Sequence, residues 1–356
     1  MDIFAPNLTE LYARARSDML LGLPVCLSND GCLWLAGAVE RLSDARIAAM
    51  RAGGKAELAL THLRAETLRI RVYDNDLTRI TPDPLSSAAE LRDLVDPGRD
   101  LNRPLMGPFQ EIRGGVPDVA RLALRLAKAA QLLPAVLLCP IDTTPKGVTV
   151  LELGSHGTPT RADIRHVVNA RLPITATPAA RLHVFRPDDG SVEHYAIEIG
   201  QPDRTQPVLA RLHSACFTGD VLGSLKCDCG PQLHAALDKM AAAGGGILVY
   251  LNQEGRGIGL ANKMRAYALQ DRGFDTVEAN HRLGYDDDER DFTLGARILS
   301  QMGIRAVRLM TNNPRKVRQL ETQGITVAER VPLWTPPTAE NAAYLRVKAT
   351  KSGHLK

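Results

Sequence analysis

A repeated order of strand, glycine-containing turn and helix runs through the second half of the chain and limits its fold class. VLARLH at residues 208–213, ILVYL at 247–251 and AVRLMT at 306–311 are apolar runs typical of buried strands. A loop and a helical pattern follow each of them. The last helix is predicted to start in TNNPRK, with Asn313 as N-cap and Pro314 at its first position. Helices interleaved with strands predict an α/β fold with mixed sheets.

The chain length predicts two domains. A chain of 356 residues is long for one compact core. Residues 142–178 are richer in Thr, Pro, Gly and Arg than their surroundings, and this shift indicates a boundary. We therefore expect one domain over residues 1–172 and a second over 173–356. The apolar run LLPAVLLCPI has about half of the roughly twenty residues that a membrane helix needs, and we interpret it as a buried strand.

Charge and composition exclude some classes of partner. The 44 Lys and Arg against 40 Asp and Glu leave a formal charge of +4, and the aromatic content is 4%, which disfavours nucleic-acid binding. The first residues lack the order of a secretory signal, so we predict a cytoplasmic protein without a membrane partner. Thiols in a reducing compartment rarely form disulfides. We assign Cys26, Cys32 and Cys139 to the core.

Three further cysteines, Cys216, Cys227 and Cys229, follow the spacing C-x10-C-x-C. Three thiolates suit tetrahedral zinc and leave one position for water, which is typical of a catalytic site. The alternative is a structural zinc site with His213 or His234 as fourth ligand. The position of the cysteines in a loop beside other polar groups favours the open site.

Two loops could bind an anion. QEGRGIGLANK lies between a predicted strand and a helix, so its backbone N–H groups could face a phosphate. A tight turn with solvated Glu254 and Arg256 is equally compatible with this sequence. TNNPRK places Arg315 and Lys316 at a helix start, where cations interact unfavourably with the helix dipole. Their presence there indicates an anion to be bound.

Two other features have alternative interpretations. The acidic run DDDERDF is either a solvated loop or, if extended, a segment that directs Asp288 and Arg290 to one face. Tyr267 shares a helix face with Leu260 and Met264, and periodicity alone predicts that this face is buried in the core.

Taken together, RLHSACFTGDVLGSLKCDCGPQL, LNQEGRGIGLANKMRAYALQDRGFDTVEAN, DERDFTLGA and LMTNNPRKV resemble GTP cyclohydrolase II, the enzyme that opens GTP at the start of riboflavin synthesis. The resemblance runs in order and with matching spacing from about Ala179 through ENAAYLRVKATKSGH. It implies hydrolysis of GTP to formate, pyrophosphate and a 2,5-diamino-6-ribosylamino-pyrimidinone phosphate. We also expect a homodimer.

The resemblance implies roles for individual residues. One zinc ion per subunit, whose open position carries the hydrolytic water, would be held by Cys216, Cys227 and Cys229. Asp288 matches the proton acceptor, Arg290 the residue proposed as nucleophile on the α-phosphorus, and Tyr267 the tyrosine near the zinc water. Magnesium would assist at the phosphates. The positions that bind GTP in the family correspond to Arg211, Leu212, His213, Ser214, Gln232, Glu254, Gly255, Arg256, Thr276, Thr311 and Lys316.

One position departs from the family pattern. Ala215 stands where the family motif usually has a glutamate, directly before the first cysteine, so the hydrogen bond of that carboxylate is in doubt. This departure motivates one alternative, a GTP-binding regulator without turnover. A second alternative is a cyclohydrolase that stops at the formamidopyrimidine, against which Tyr267 argues.

The N-terminal half is similar in spacing and hydrophobic rhythm to 3,4-dihydroxy-2-butanone 4-phosphate synthase. The similarity lies in GLPVCLSNDGCLWLAGAVERLSDARIAAMRAGGKAELALT and LMGPFQEIRGGVPDVARLALRLAKAAQLLPAVLLCPI. That synthase binds magnesium through a Glu-Asn-Glu-Gly-Asp segment, where this chain has DGCLWLAG, and GGVPDV replaces its Gly-His-Thr-Glu run. Because a hard cation needs those carboxylates, we predict a folded domain without synthase activity that stabilises a dimer.

Overall fold

The protein forms two compact units, each with its own sheet. The computed structural model describes residues 3–100, 106–115, 117–154, 163–336 and 340. The first unit combines the described residues of 1–162 with residues 261–289, and the second combines 163–260 with the described residues from 290 onward. The chain therefore passes between the units three times, whereas the sequence analysis divided it once, after residue 172. Nearly all of ENAAYLRVKATKSGH lies outside the described residues.

The secondary structure alternates between strands and helices along the chain. The strands are β1 (Val25–Asn29), β2 (Cys32–Ala38), β3 (Glu57–Thr61), β4 (Leu77–Thr81), β5 (Gln110–Glu111), β6 (Ala135–Ile141), β7 (Val150–Glu152), β8 (Ile164–Arg171), β9 (Ala180–Pro187), β10 (His194–Gly200), β11 (Val208–Ser214), β12 (Gly245–Leu251), β13 (Ala306–Met310) and β14 (Thr326–Val331). The helices are α1 (Leu8–Leu20), α2 (Asp44–Arg51), α3 (His62–Thr67), α4 (Ala88–Val95), α5 (Asp118–Ala129), α6 (Cys229–Ala242), α7 (Leu260–Gln270), α8 (Thr276–Arg282), α9 (Thr293–Gln301) and α10 (Pro314–Glu321). Of the helices that the structure describes, none combines the length and apolar character that a bilayer crossing needs.

The sheet of the first unit has the strand order β5-β4-β3-β6-β2-β1-β7. Its neighbouring strands pair antiparallel except β1 and β7, which pair parallel. Helices α1 and α5 cover one face, and Met19 and Leu126 lie in the core that they form with it. The run LLPAVLLCPI contains β6, whose first five residues are buried, so the prediction of a buried strand is confirmed.

The sheet of the second unit is half parallel and half antiparallel, with the order β14-β13-β11-β12-β10-β9-β8. The strands from β14 to β12 pair parallel, and those from β12 to β8 pair antiparallel. Alternate residues of β11 enter opposite cores: Leu209 lies with Met240 of α6, and Ala210 lies with Leu299 of α9. The predicted strands and the α/β class with mixed sheets are confirmed. Asn313 caps α10 through its side chain, as predicted.

The predicted burial of Cys32 is wrong. Cys26 and Cys139 are buried, as predicted, but Cys32 is exposed. It directly follows the tight turn at Asp30 and Gly31, both of which have positive φ, and therefore begins β2 at the turn end of the β1–β2 hairpin. The apolar residues around Cys32 in the sequence do not show that it is the first residue of its strand, where the side chain is exposed.

The predicted buried face of α7 is also wrong. Leu260 and Met264 are 38% and 39% exposed, and Tyr267 is half-buried. The buried face instead includes Asn262, whose side-chain amide donates to the Gln131 carbonyl at 2.8 Å. Helix α7 buries Asn262 and Lys263 together with Ala266 and Leu269, so the apolar periodicity selected the wrong face.

A buried ion cluster joins the two stretches of chain in the first unit. The Arg64 side chain is 2% exposed and donates to both carboxylate oxygens of Asp100, at 2.7 and 2.8 Å. Arg282, from the second stretch, donates to the same carboxylate at 3.2 Å. Arg64 also donates to the carbonyl of Arg282 at 3.4 Å. Removing Asp100 would leave a buried guanidinium without its counter-charge.

We expect Asp100→Ala to lower the free energy of unfolding of the first unit by about 3 kcal/mol, because breaking a buried ion pair leaves an uncompensated charge. Chemical denaturation followed by a probe in each unit measures the change. Glu329→Ala is the control, since the Arg308–Glu329 pair is about half exposed on both sides, at 48% and 52%. That variant should cost less than about 1 kcal/mol. Equal losses in the two variants would contradict the interpretation.

Candidate active site

Three loops of the second unit meet at one edge of its sheet. Strands β11, β12 and β13 are parallel neighbours, so Ser214, Leu251 and Met310 end them at the same edge. The cysteine loop follows β11, QEGRGIG follows β12, and TNN follows β13. Ligands of open α/β sheets bind at the carboxyl ends of the strands. The structure thus brings together three of the motifs that the sequence analysis selected.

The three predicted cysteines form a cluster with metal-site geometry. The Sγ atoms of Cys216, Cys227 and Cys229 all lie within 4.8 Å of one another, and those of Cys216 and Cys227 are 3.7 Å apart. Zn–S bonds of about 2.3 Å in a tetrahedral site separate the sulfurs by about 3.8 Å. The donor set and its spacing therefore fit zinc.

Within the described part of the chain, the cluster has no fourth Cys, His, Asp or Glu ligand. His213, one candidate for that place, directs Nε2 to Asp220 at 3.1 Å. His234, the other, is exposed on α6. The geometry favours three protein ligands and one open position over the structural four-ligand site.

Gly219 allows the sulfurs to approach each other. A Cβ atom at this position would lie 2.7 Å from Sγ of Cys227 and 3.1 Å from Sγ of Cys216. A Cβ atom at Gly230 would lie 2.3 Å from the carbonyl oxygen of Gly219. These two glycines let the cysteine loop pack closely on the first turn of α6, which begins at Cys229.

The Asp220 carboxylate holds the first cysteine in place and was missed by the sequence analysis. Its Oδ2 accepts hydrogen bonds from the Cys216 backbone N–H at 3.0 Å and from the Tyr250 hydroxyl at 2.8 Å. The His213 ring faces the same carboxylate and stacks on Tyr250 with ring centres 5.5 Å apart. Burial lowers the pKa of His213 and raises the pKa of Tyr250. The one feature of the sequence that could have indicated this role is the position of Asp220 four residues after Cys216, a predicted metal ligand.

A buried arginine supplies a fixed positive charge behind the cysteine loop. Arg211 is 6% exposed and donates to Oε1 of Gln232 at 2.6 Å, and Gln232 donates in turn to Asp228 at 2.5 Å. Burial lowers the pKa of Arg211 to about 10, so the guanidinium remains charged at neutral pH. Among the described residues, its buried Nε has no hydrogen-bond partner. The predicted residues Arg211 and Gln232 thus lie in contact.

Two more cations surround the ring of Phe292. The Arg290 guanidinium lies 4.9 Å from the ring centre and Nζ of Lys316 lies 4.8 Å from it. Lys316 donates to the carbonyl of Leu212 at 2.7 Å, and Arg290 lies 3.4 Å from the hydroxyl oxygen of Ser214. Both predicted cations therefore lie at the end of β11. Arg315, the other cation of TNNPRK, is exposed.

The backbone beside Arg290 is held by a glutamine that the sequence analysis did not select. The Gln253 side chain donates to the Asp291 carbonyl at 2.9 Å and accepts from the Asp291 N–H at 3.1 Å. This two-point contact connects the loop after β12 to the segment that carries Arg290. No local pattern indicates it, because the two residues are far apart in sequence.

The glycine-rich loop has an unusual backbone. Gly255 and Arg256 both have φ of 63° and Gly257 has φ of 95°. For Arg256 this left-handed conformation costs about 1 kcal/mol, and such strain concentrates at functional sites. Glu254 accepts hydrogen bonds from the N–H groups of Phe217 at 2.6 Å and Gly255 at 2.9 Å, so it ties this loop to the cysteine loop.

Four predicted residues fall outside these contacts. Thr311 is buried beside α10, where its hydroxyl accepts from the N–H of Asn313 at 3.0 Å. Tyr267, Thr276 and Asp288 belong to the first unit, on α7, at the start of α8 and in the loop after α8. Their roles stay predictions.

The fold and the site define an α/β protein with a three-cysteine metal-type cluster at the carboxyl ends of parallel strands. The family model of GTP cyclohydrolase II matches residues 165–332. GTP cyclohydrolase-2 of Azospirillum brasilense is 41% identical over 359 aligned positions, which cover 96% of this chain and 93% of that protein. The chain belongs to the GTP cyclohydrolase II family.

Two further comparisons extend into the N-terminal half. The riboflavin biosynthesis protein RibBA of Aquifex aeolicus is 40% identical over 81% of this chain and 74% of its own length. A solved structure of RibBX, a two-domain 3,4-dihydroxy-2-butanone 4-phosphate synthase from A. baumannii, is 16% identical, covers 91% of this chain and 99% of its own, and has a TM-score of 0.29. That score is too low to indicate a shared arrangement of the whole chain.

We expect Gly219→Ala to lower the zinc content of the purified protein to below about half of the wild-type value, because the new methyl group must displace the Cys227 sulfur. Elemental analysis of chelator-washed protein measures it. Gly223→Ala is the matched control in the same loop, since its φ of 65° imposes backbone strain while no atom lies within 4 Å of the added Cβ. Equal zinc loss in both variants would contradict the steric explanation.

A histidine beside the same edge of the sheet predicts a pH dependence. His194 is 3% exposed, its Nδ1 accepts from the Asn252 N–H at 3.0 Å, and burial lowers its pKa to about 4 from an ordinary 6.5. The unfolded state therefore binds more protons between those values. The resulting stability is complete above pH 6.5 and is lost as the pH falls towards 4.

We expect His194→Asn to flatten the dependence of the unfolding free energy on pH between 6.5 and 4, because the amide oxygen keeps an acceptor for Asn252 but does not titrate. Urea denaturation at several pH values in this window measures both proteins. Parallel curves for the variant and the wild type would show that His194 contributes nothing to the slope.

Proposed function

We propose that this protein hydrolyses GTP to formate, pyrophosphate and 2,5-diamino-6-(5-phospho-ribosylamino)pyrimidin-4(3H)-one, the first step of riboflavin biosynthesis. The observation that carries the proposal is the cluster of Cys216, Cys227 and Cys229, with two sulfurs 3.7 Å apart and no fourth protein ligand in the described chain. Membership of the GTP cyclohydrolase II family supports the same reaction.

The three thiolates would hold one zinc ion in each subunit. Bound there, zinc supplies a hydrolytic water of lowered pKa for attack on the weakly electrophilic C8 of the purine. The chain's own residues prepare the site: Asp220 fixes the backbone of Cys216, and Gly219 leaves the space in which the sulfurs converge. Outer contacts of this kind set ligand orientation.

Fixed cations of the second unit would bind the triphosphate. Lys316 and Arg290 lie together at the end of β11, and Arg211 is held behind the cysteine loop. Positive groups already in place cost little reorganisation as charge builds on the phosphates. We propose that a deprotonated Arg290 nitrogen attacks the α-phosphorus, so that an N–P bond forms as the α–β phosphoanhydride bond breaks and pyrophosphate leaves. Water then hydrolyses the N–P bond to give the monophosphate and restore Arg290, and magnesium assists at the phosphates. The other proposed GTP contacts are Leu212, His213, Ser214, Gln232, Glu254, Gly255, Arg256, Thr276 and Thr311.

We propose catalytic roles for two residues of the first unit. We propose Asp288 as the proton acceptor and Tyr267 as the residue beside the hydrolytic water, on the strength of the family resemblance. We further propose a cytoplasmic homodimer in which the first unit has no synthase activity. Its β1–β2 turn contains Asp30 as its one carboxylate, too few for a magnesium site.

The test is an assay of formate and pyrophosphate from GTP with zinc-loaded protein. We expect Cys227→Ser to retain below about 1% of wild-type turnover, because a serine hydroxyl is a poor zinc ligand. Cys32→Ser is the matched control, since Cys32 is exposed on the first unit, and it should keep wild-type activity.

The products separate the alternatives. Release of pyrophosphate without formate would identify an enzyme that stops at the formamidopyrimidine. Tight GTP binding with neither product would identify a regulator. Full activity of Cys227→Ser would refute the metal site.

A further inference from the structure

The segment 261–289 is anchored in the first unit by buried contacts. Tyr285 is fully buried, and its hydroxyl donates to the Leu132 carbonyl at 2.5 Å. The Thr61 hydroxyl donates to the Gly284 carbonyl at 2.9 Å. A Cβ atom at Gly284 would lie 2.8 Å from that hydroxyl oxygen and 2.9 Å from Pro134. The loop after α8 therefore packs closely against the N-terminal stretch, with no space for a side chain at position 284.

A single lysine of the N-terminal stretch contacts the acidic loop directly. Lys128, near the end of α5, donates to Oε1 of Glu289 at 2.6 Å and to Oδ2 of Asp286 at 3.2 Å. Oε1 of Glu289 also accepts the backbone N–H of Asp286 at 3.0 Å, which closes the loop on itself. The Lys128 and Glu289 side chains are 22% and 21% exposed. The Asp286 side chain is 59% exposed, so the Lys128–Glu289 hydrogen bond is the one that restricts the loop more than a surface pair would.

The loop closed by these contacts carries Asp288. Asp286 and Glu289 are the two residues that Lys128 holds, and Asp288 lies between them in sequence. Lys128 also lies 5.7 Å from the centre of the Tyr285 ring, the side chain that anchors the start of the loop. Both ends of the loop are therefore fixed to α5 and to the residues that follow it.

We infer that Lys128, in the synthase-like first unit, is a positioning residue for cyclohydrolysis, acting through Glu289 and Asp286 on the loop that presents Asp288. The inference rests on the proposed function, in which Asp288 accepts a proton. It gives the N-terminal stretch a role in the cyclohydrolase reaction that does not depend on the lost synthase carboxylates. A small displacement of a proton acceptor slows turnover without weakening substrate binding.

The experiment compares three variants of the full chain with zinc and GTP present. Lys128→Met removes the charge and keeps most of the side-chain stem, and we expect kcat to fall by about 10- to 100-fold while KM for GTP changes less than about twofold. Lys128→Arg keeps a donor for both carboxylates and should restore most of the turnover. Arg125→Met removes an exposed charge from the same helix and should leave kcat unchanged.

Two further measurements separate positioning from general damage. Hydrogen exchange of peptides covering residues 284–291 should speed up in Lys128→Met and not in Arg125→Met. Glu289→Gln should lower kcat, and combining it with Lys128→Met should cost little more than the larger single loss. Wild-type kcat in Lys128→Met, an equal loss in Arg125→Met, unchanged exchange, or losses that multiply would each overturn the inference. A wild-type protein that forms no formate would refute the proposed function, while the exchange measurement would still decide the positioning role.

Discussion

The parallel pairing of β11 with β12 and with β13 is the constraint on which the site depends. It brings the cysteine loop, the glycine-rich loop and the start of α10 to one edge of the sheet. Alternate residues of β11 enter different cores, so a shift of register by one residue would exchange buried faces and is strongly disfavoured. The same register sets how far Cys216 lies beyond the end of β11. The geometry of the thiol cluster therefore depends on the packing of the sheet.

Charged side chains around that edge of the sheet contact different groups. Asp220 lies within the cysteine loop with a side chain 3% exposed, and its carboxylate is stabilised by hydrogen bonds from the Cys216 N–H and the Tyr250 hydroxyl. The positive groups Arg290 and Lys316 both contact the Phe292 ring, whose face interacts favourably with a cation. Under the proposed function, Asp220 would orient a metal ligand, and the two cations would bind the phosphates.

Local patterns in the sequence predicted the features that depend on local physics. The apolar runs of β11, β12 and β13 follow from burial, and Asn313 as the cap of α10 follows from the capping preference of its side chain. The cysteine spacing predicted a metal cluster, and the sulfurs do converge. These successes share one cause: each feature is determined by residues close together in the chain.

The features that were missed depend on contacts between distant residues. Tyr250 reaches Asp220 across 30 positions, and Gln253 reaches Asp291 across 38. The buried face of α7 includes Asn262, whose amide donates to the Gln131 carbonyl across 131 positions, and apolar periodicity does not detect such a contact. The two units also differ from the predicted division after residue 172, since residues 261–289 join the N-terminal stretch through Tyr285, Gly284 and Arg282.

The three crossings of the chain between units, near residues 162, 260 and 289, restrict how such a protein can be rearranged. A gene with one junction per module can exchange a module by a single recombination event. In this chain, dividing the sequence at one point would separate residues 261–289 from the N-terminal residues that hydrogen-bond to their buried polar groups. Those buried groups would then lack hydrogen-bond partners. The N-terminal stretch therefore serves as a scaffold for residues 261–289, because deleting it would remove the partners of Tyr285 and Gly284.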